Sequence, residues 1–124
     1  MAYFKDLEIF KESVSLVKMI YDMTNDFPSA EKYGLISQIR RAAISVPSNI
    51  AEGSSRRTVN DKKRFLDISI SSLSEIHAQL LISYELKYIN IEKLSEFENK
   101  INNLRPRLIA FQNSLNNRPN TPNT

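Results

Sequence analysis

A chain of 124 residues is long enough to bury a hydrophobic core without staples and short enough to hold a single domain. It has no cysteine and one histidine, which excludes the common zinc ligand sets and thiol catalysis, so neither a metal nor a cofactor is expected, and the missing thiols fit a reducing cytoplasm. The net charge of +3 is modest, no apolar run approaches the roughly 18 residues of a membrane-spanning helix, and Met1-Ala2-Tyr3-Phe4-Lys5-Asp6 has no basic-then-apolar signal layout; a cytoplasmic protein with no membrane contact is expected.

Leu7, Phe10, Val14, Val17 and Tyr21 step by three and four residues, which predicts a first helix with that stripe inward. Ile9, Leu16, Ile20, Met23 and Phe27 form a second apolar set beside it, and Asp26-Phe27-Pro28-Ser29 ends the helix. Leu35, Ile39, Ala42 and Val46 make the stripe of a second helix, with Ile36, Ala43 and Ile50 beside it. That helix contains Pro47, and an interior proline costs about 3 kcal/mol through a lost hydrogen bond and a clash with the preceding turn. Gly53-Ser54-Ser55 closes it, with Gly53 read as the C-terminal cap.

Thr58 or Asn60 is placed to cap a third helix, whose seam is Leu66, Ile70, Leu73, His77, Leu80 and Tyr84. Asn90 is placed to cap a fourth, with the seam Leu94, Phe97, Ile101, Leu104, Leu108, Phe111 and Leu115. No comparable period-two stretch competes. Short connections make neighbouring helices antiparallel, so the fold class is all-α: an up-and-down four-helix bundle over residues 1–116. Residues 117–124 offer nothing apolar to bury and are expected to be disordered. The second apolar stripes on the first two helices exceed what one bundle needs and point to self-association.

Charge is uneven along the chain. Residues 32–64 hold eight basic and two acidic side chains, a net of +6, whereas residues 1–31 carry −3 and residues 65–98 carry −4. A dense basic block favours a polyanionic partner, and a solvated helix face is the plainer alternative. Within it, Arg56, Arg57, Lys62, Lys63 and Arg64 surround the turn between the second and third helices, supported by Arg40 and Arg41. Three bases in the opening of a helix work against its macrodipole by a few tenths of a kcal/mol each, a conflict that an anion site would tolerate.

Asn49, Glu52 and Gly53 read as a structural polar cluster: Asn49 answers the carbonyl released by Pro47 or pairs across the bundle, and Glu52 meets Arg40, Arg41 or Arg56. A general base or metal ligand at Glu52 is the sharper alternative, but no second group at suitable spacing completes such a site. His77 on an apolar stripe reads as a core histidine with one ring nitrogen satisfied. Ser69, Ser71, Ser72 and Ser74 read as small residues that let helices approach, since no nucleophile elbow surrounds them. Gly34 and Gly53 are the only glycines, so there is no phosphate-binding glycine loop, and no enzyme is expected.

Phe27-Pro28, Tyr33-Gly34-Leu35, Gln38-Ile39-Arg40-Arg41-Ala42, Asn49-Ile50-Ala51-Glu52-Gly53, Phe65-Leu66 and Ser71-Ser72-Leu73-Ser74-Glu75 occur in one order and spacing. In this the chain resembles the bacterial four-helix bundle proteins encoded within intervening sequences of 23S rRNA genes, over Phe4 to about Leu115. Pro106 departs from that pattern and is expected to kink the fourth helix locally. The resemblance implies an antiparallel bundle assembled as a homopentamer around a central opening. A related bundle, the accessory protein of diversity-generating retroelements, associates with nucleic acid through basic surface. By motif position, Arg40, Arg41, Asn49, Glu52 and Gly53 carry over.

Two functions follow as expectations. One is a non-enzymatic oligomer that binds RNA or DNA weakly and without sequence preference through phosphates, its basic patch repeated around a ring to raise avidity. The other is a scaffold for a protein partner, with the arginines serving intersubunit contacts.

Overall fold

The computed structural model describes Phe4 and residues 7–115; the expected disordered tail, residues 117–124, lies outside them. Four helices follow one another: α1 (Glu8–Thr24), α2 (Leu35–Ser55), α3 (Val59–Glu85) and α4 (Ile91–Ser114), with a 3-10 turn at Ser29–Glu31 between α1 and α2. Each helix packs on its two neighbours in a closed cycle, α4 returning to α1, and α2 against α3 is the most extensive pairing. This is the antiparallel up-and-down bundle that the short connections require.

The core is a column of fully buried side chains, among them Leu16 and Ile20 from α1, Ile39, Val46 and Ile50 from α2, Leu73, Ile76 and Leu80 from α3, and Phe97, Ile101, Leu104 and Leu108 from α4. On α4 the expected seam is the observed one, with Phe111 partly buried. Pro106 sits on the exposed side of α4, and the helix runs through it while Leu104 and Leu108 stay inside.

On α1 the expected inward stripe is corrected. The core face is Ile9, Ser13, Leu16, Ile20, Met23 and Thr24, whereas Leu7, Phe10, Val17 and Tyr21 are only partly buried and Val14 is exposed. Two hydroxyls disguise the buried face in the sequence. Ser13 Oγ donates to the Phe10 carbonyl at 2.7 Å and Thr24 Oγ1 to the Ile20 carbonyl at 2.8 Å, so both enter the core with their polarity satisfied inside the helix.

The set read as surplus on α1 is therefore the core itself, and Ala43 and Ile50 of α2 are buried within the same subunit. Large apolar side chains left exposed include Val14 on α1, Tyr33 and Ile44, and four of them, Leu81, Ile82, Leu86 and Ile91, lie around the turn from α3 to α4. That turn places Lys87 at φ 65°, a left-handed conformation uncommon for a residue with a side chain.

Gly53 is not a C-terminal cap. It lies inside α2, which continues to Ser55 and ends where Arg56 turns extended, and no glycine has positive φ among the described residues. Its role is to let α3 come close: a Cβ there would sit 3.3 Å from both the Lys62 carbonyl oxygen and the Phe65 Cβ. Farther along the seam Ser69 and Ser72 are buried, as the small-residue reading of helix 3 requires; Ser71 and Ser74 are exposed.

Candidate nucleic-acid interface

The corner between α2 and α3 is built by local capping. Thr58 is extended at the start of α3 and its Oγ1 accepts the Asp61 backbone N–H at 3.1 Å, a standard N-cap geometry. Lys62 Nζ reaches back to the Ser54 carbonyl at 3.3 Å, in the last turn of α2. There the macrodipole favours a cation, so the unfavourable position inferred for Lys62 at the head of α3 is offset by a favourable one at the foot of α2.

The corner collects Arg56, Arg57, Lys62, Lys63 and Arg64. Arg56 pairs with Glu52 at 2.9 Å, one turn back on α2, and Arg64 pairs with Asp61 at 3.3 Å. Both guanidinium groups also lie over the same ring, with Arg56 Cζ at 4.5 Å and Arg64 Cζ at 4.6 Å from the Phe65 centroid. Lys63 is partly buried, and its carbonyl accepts the side-chain amide of Gln112 from α4 at 3.0 Å. Arg57 is exposed and makes no hydrogen bond or ion pair with a described residue.

Arg40 and Arg41 diverge from this corner. Arg40 turns to the C-terminal end of α1: Nε donates to Thr24 Oγ1 at 2.9 Å, Nη2 donates to Asn25 Oδ1 at 3.1 Å and to the Tyr21 carbonyl at 3.4 Å, and the group lies 4.3 Å over the Tyr21 ring. It serves as a helix cap reaching across from α2 to the end of α1. Arg41 is exposed and lines a shallow α2–α3 cleft with Gln38, Ser45 and Glu75.

Glu52 meets Arg56, one of the partners expected for it, whereas Asn49 turns to its own helix. Asn49 Nδ2 donates to the Ser45 carbonyl at 2.8 Å and to Ser45 Oγ at 3.0 Å, so it does not take the Ala43 carbonyl that Pro47 leaves without its helical donor. Ser72 Oγ donates to Ser45 Oγ at 2.8 Å, and Ser69 Oγ donates to the Val46 carbonyl at 2.8 Å. Serines of α3 thus bond to α2 just before Pro47. This link was missed in the sequence; the run Ser69 to Ser74 was its only trace, and pairing across helices left no local signal.

His77 is not a core residue. It is about a third exposed and its Nε2 lies 2.7 Å from Glu98 Oε2, joining α3 to α4. Arg107 pairs with Glu12, joining α4 to α1. Tyr88 packs on Phe27 at 5.2 Å and donates to Glu31 Oε2 at 2.9 Å. That hydrogen bond, partial desolvation and the nearby carboxylate hold the phenol above its ordinary value. Among the described residues no group of three or more His, Cys, Asp or Glu is placed to hold a metal ion, and no helix is long and apolar enough to cross a membrane.

The family model of the 23S rRNA-intervening sequence protein matches residues 5–110. Among solved structures, a protein of unknown function from the S23 ribosomal protein family of Bacteroides thetaiotaomicron is similar, with a TM-score of 0.77 at 20% identity over 84% of this chain and 97% of the other. No curated protein matches the chain.

Proposed function

Since the chain belongs to the 23S rRNA-intervening sequence protein family, we propose that it is a non-enzymatic, cytoplasmic oligomer, a homopentamer by family resemblance, that binds RNA or DNA weakly through a repeated basic corner. The observation that carries the reading is the convergence of Arg56, Arg57, Lys62, Lys63 and Arg64 at one end of the α2–α3 pair, with Arg57 exposed and unpartnered among the described residues. Such groups contact phosphates, so affinity comes without sequence preference and falls with salt. A single corner binds weakly, and a ring that repeats it gains avidity from effective concentration alone. The groups that catalysis would need are engaged separately: Asn49 with Ser45, Glu52 with Arg56, and His77 with Glu98.

Fluorescence anisotropy with a labelled structured RNA at several salt concentrations tests this. A linear fall of log affinity with log salt is expected, and Arg57→Ala should reduce the slope by about one. Absence of salt-dependent binding near physiological ionic strength sinks the reading. The second function, a scaffold for a protein partner, is favoured by the exposed Leu81, Ile82, Leu86 and Ile91 around one turn. In that case RNA binding is absent while substitutions at this turn abolish partner capture.

A further inference from the structure

We propose that the basic corner takes unpaired nucleotides in preference to duplex, by stacking nucleobases on the outer faces of the Arg56 and Arg64 guanidinium groups; this rests on the nucleic-acid reading above and names its ligand. A guanidinium offers two recognition elements, an in-plane row of N–H donors that forks onto phosphate and a flat face that stacks on aromatic rings. At this corner the in-plane donors are partly consumed. Arg56 Nη2 is held by Glu52 at 2.9 Å and Arg64 Nη2 by Asp61 at 3.3 Å. Arg56 Nε is buried without a partner, so that edge is turned away from any approaching phosphate.

The flat faces fare differently. Both groups lie over Phe65, at 4.5 and 4.6 Å from its centroid, and their side chains keep 40% and 60% of their exposure. The ring and the carboxylates hold both groups in place before any ligand arrives, which lowers the ordering cost of a stacked complex. Arg57 supplies a phosphate contact from the same turn, next to Arg56 in the chain.

A duplex cannot use this arrangement, because its bases are stacked on one another and present only edges in the grooves. Splayed bases of loops and single strands are free to stack on guanidinium planes. The basic residues are also compact in sequence, and Arg40 is diverted to the end of α1.

The experiment compares a fluorescein-labelled 12-nucleotide single-stranded RNA of mixed sequence with the same strand annealed to its complement, by anisotropy at fixed salt. The probe proteins are the native chain and the double variant Arg56→Lys/Arg64→Lys, which keeps both charges and removes both planes. The native protein is expected to bind the single strand about tenfold more tightly than the duplex, a preference of the size of one stacked base. The variant should bind the single strand more weakly and lose that preference, and circular dichroism should report an unchanged helical fold. Equal affinity of the native protein for both RNAs overturns the stacking and leaves the phosphate reading standing. A preference that survives in the folded variant overturns it too, by placing the discrimination elsewhere. Binding to neither RNA overturns both.

Discussion

Arg40 illustrates how one residue type carries opposite meanings in one sequence. It adjoins Arg41 in the chain, yet its guanidinium closes the end of α1 through Thr24, Asn25 and the Tyr21 carbonyl, whereas Arg41 stays exposed on the outer side of α2. Arg40→Ala is expected to lower stability by about 1–3 kcal/mol in urea denaturation, with RNA affinity of the folded protein unchanged. A variant that keeps its stability and loses RNA binding instead would return Arg40 to the basic patch. Tyr88 makes a pH-dependent contribution of definite sign. Its folded pKa is raised by the hydrogen bond to Glu31, by desolvation and by the carboxylate charge, so the stabilisation is complete below the unfolded value of about 10 and is lost as pH rises through the higher folded value. Absorbance titration at alkaline pH should find Tyr88 ionising above its ordinary value, and Tyr88→Phe should remove that late component from the curve.

At the scale of elements, apolar spacing was sufficient to place all four helices, and side-chain chemistry placed the start of α4 and narrowed that of α3 to Thr58 or Asn60, of which the structure uses Thr58. Thr58 and Asn90 both accept the N–H three residues on, at 3.1 and 2.8 Å. The choice of face on α1 was not legible, because Ser13 and Thr24 lower the apparent hydrophobicity of the buried side while Val14 and Tyr21 raise that of the outer one. Gly53 misled in a related way: a glycine near a helix end suggests a left-handed cap, but here only the approach of α3 explains it. Gly53→Leu is expected to force α2 and α3 apart and cost about 1–3 kcal/mol, read as a lower denaturation midpoint. If the variant is as stable as the native chain, the close approach of the two helices does not depend on the missing side chain.

Across the whole molecule, two surface features lie at opposite ends of α3. The basic corner sits where α2 gives way to α3, and the exposed cluster Leu81, Ile82, Leu86 and Ile91 lies at the other end of α3. The buried stripe of α1 offers no surface for self-association, so an oligomer would be held by other faces. Light scattering on the purified protein is expected to return about five times the subunit mass of 14.3 kDa, as family resemblance and the avidity of a repeated corner require. A monomer at micromolar concentration would remove the avidity and leave only single-corner binding.

The family was readable from ordered motifs such as Gln38-Ile39-Arg40-Arg41-Ala42 and Asn49-Ile50-Ala51-Glu52-Gly53, as the match over residues 5–110 bears out. Class, helix number and the α4 seam were readable too, because each depends on spacing within one segment and local periodicity survives in any linear string. Which arginine caps a helix, which stripe of α1 turns inward, why Gly53 has no side chain and where Asn49 donates were settled by neighbours nine or more residues away, or by competition between two local partners. Such choices belong to the packed molecule, where a polar side chain takes whichever acceptor the adjoining helix or its own turn brings within about 3 Å.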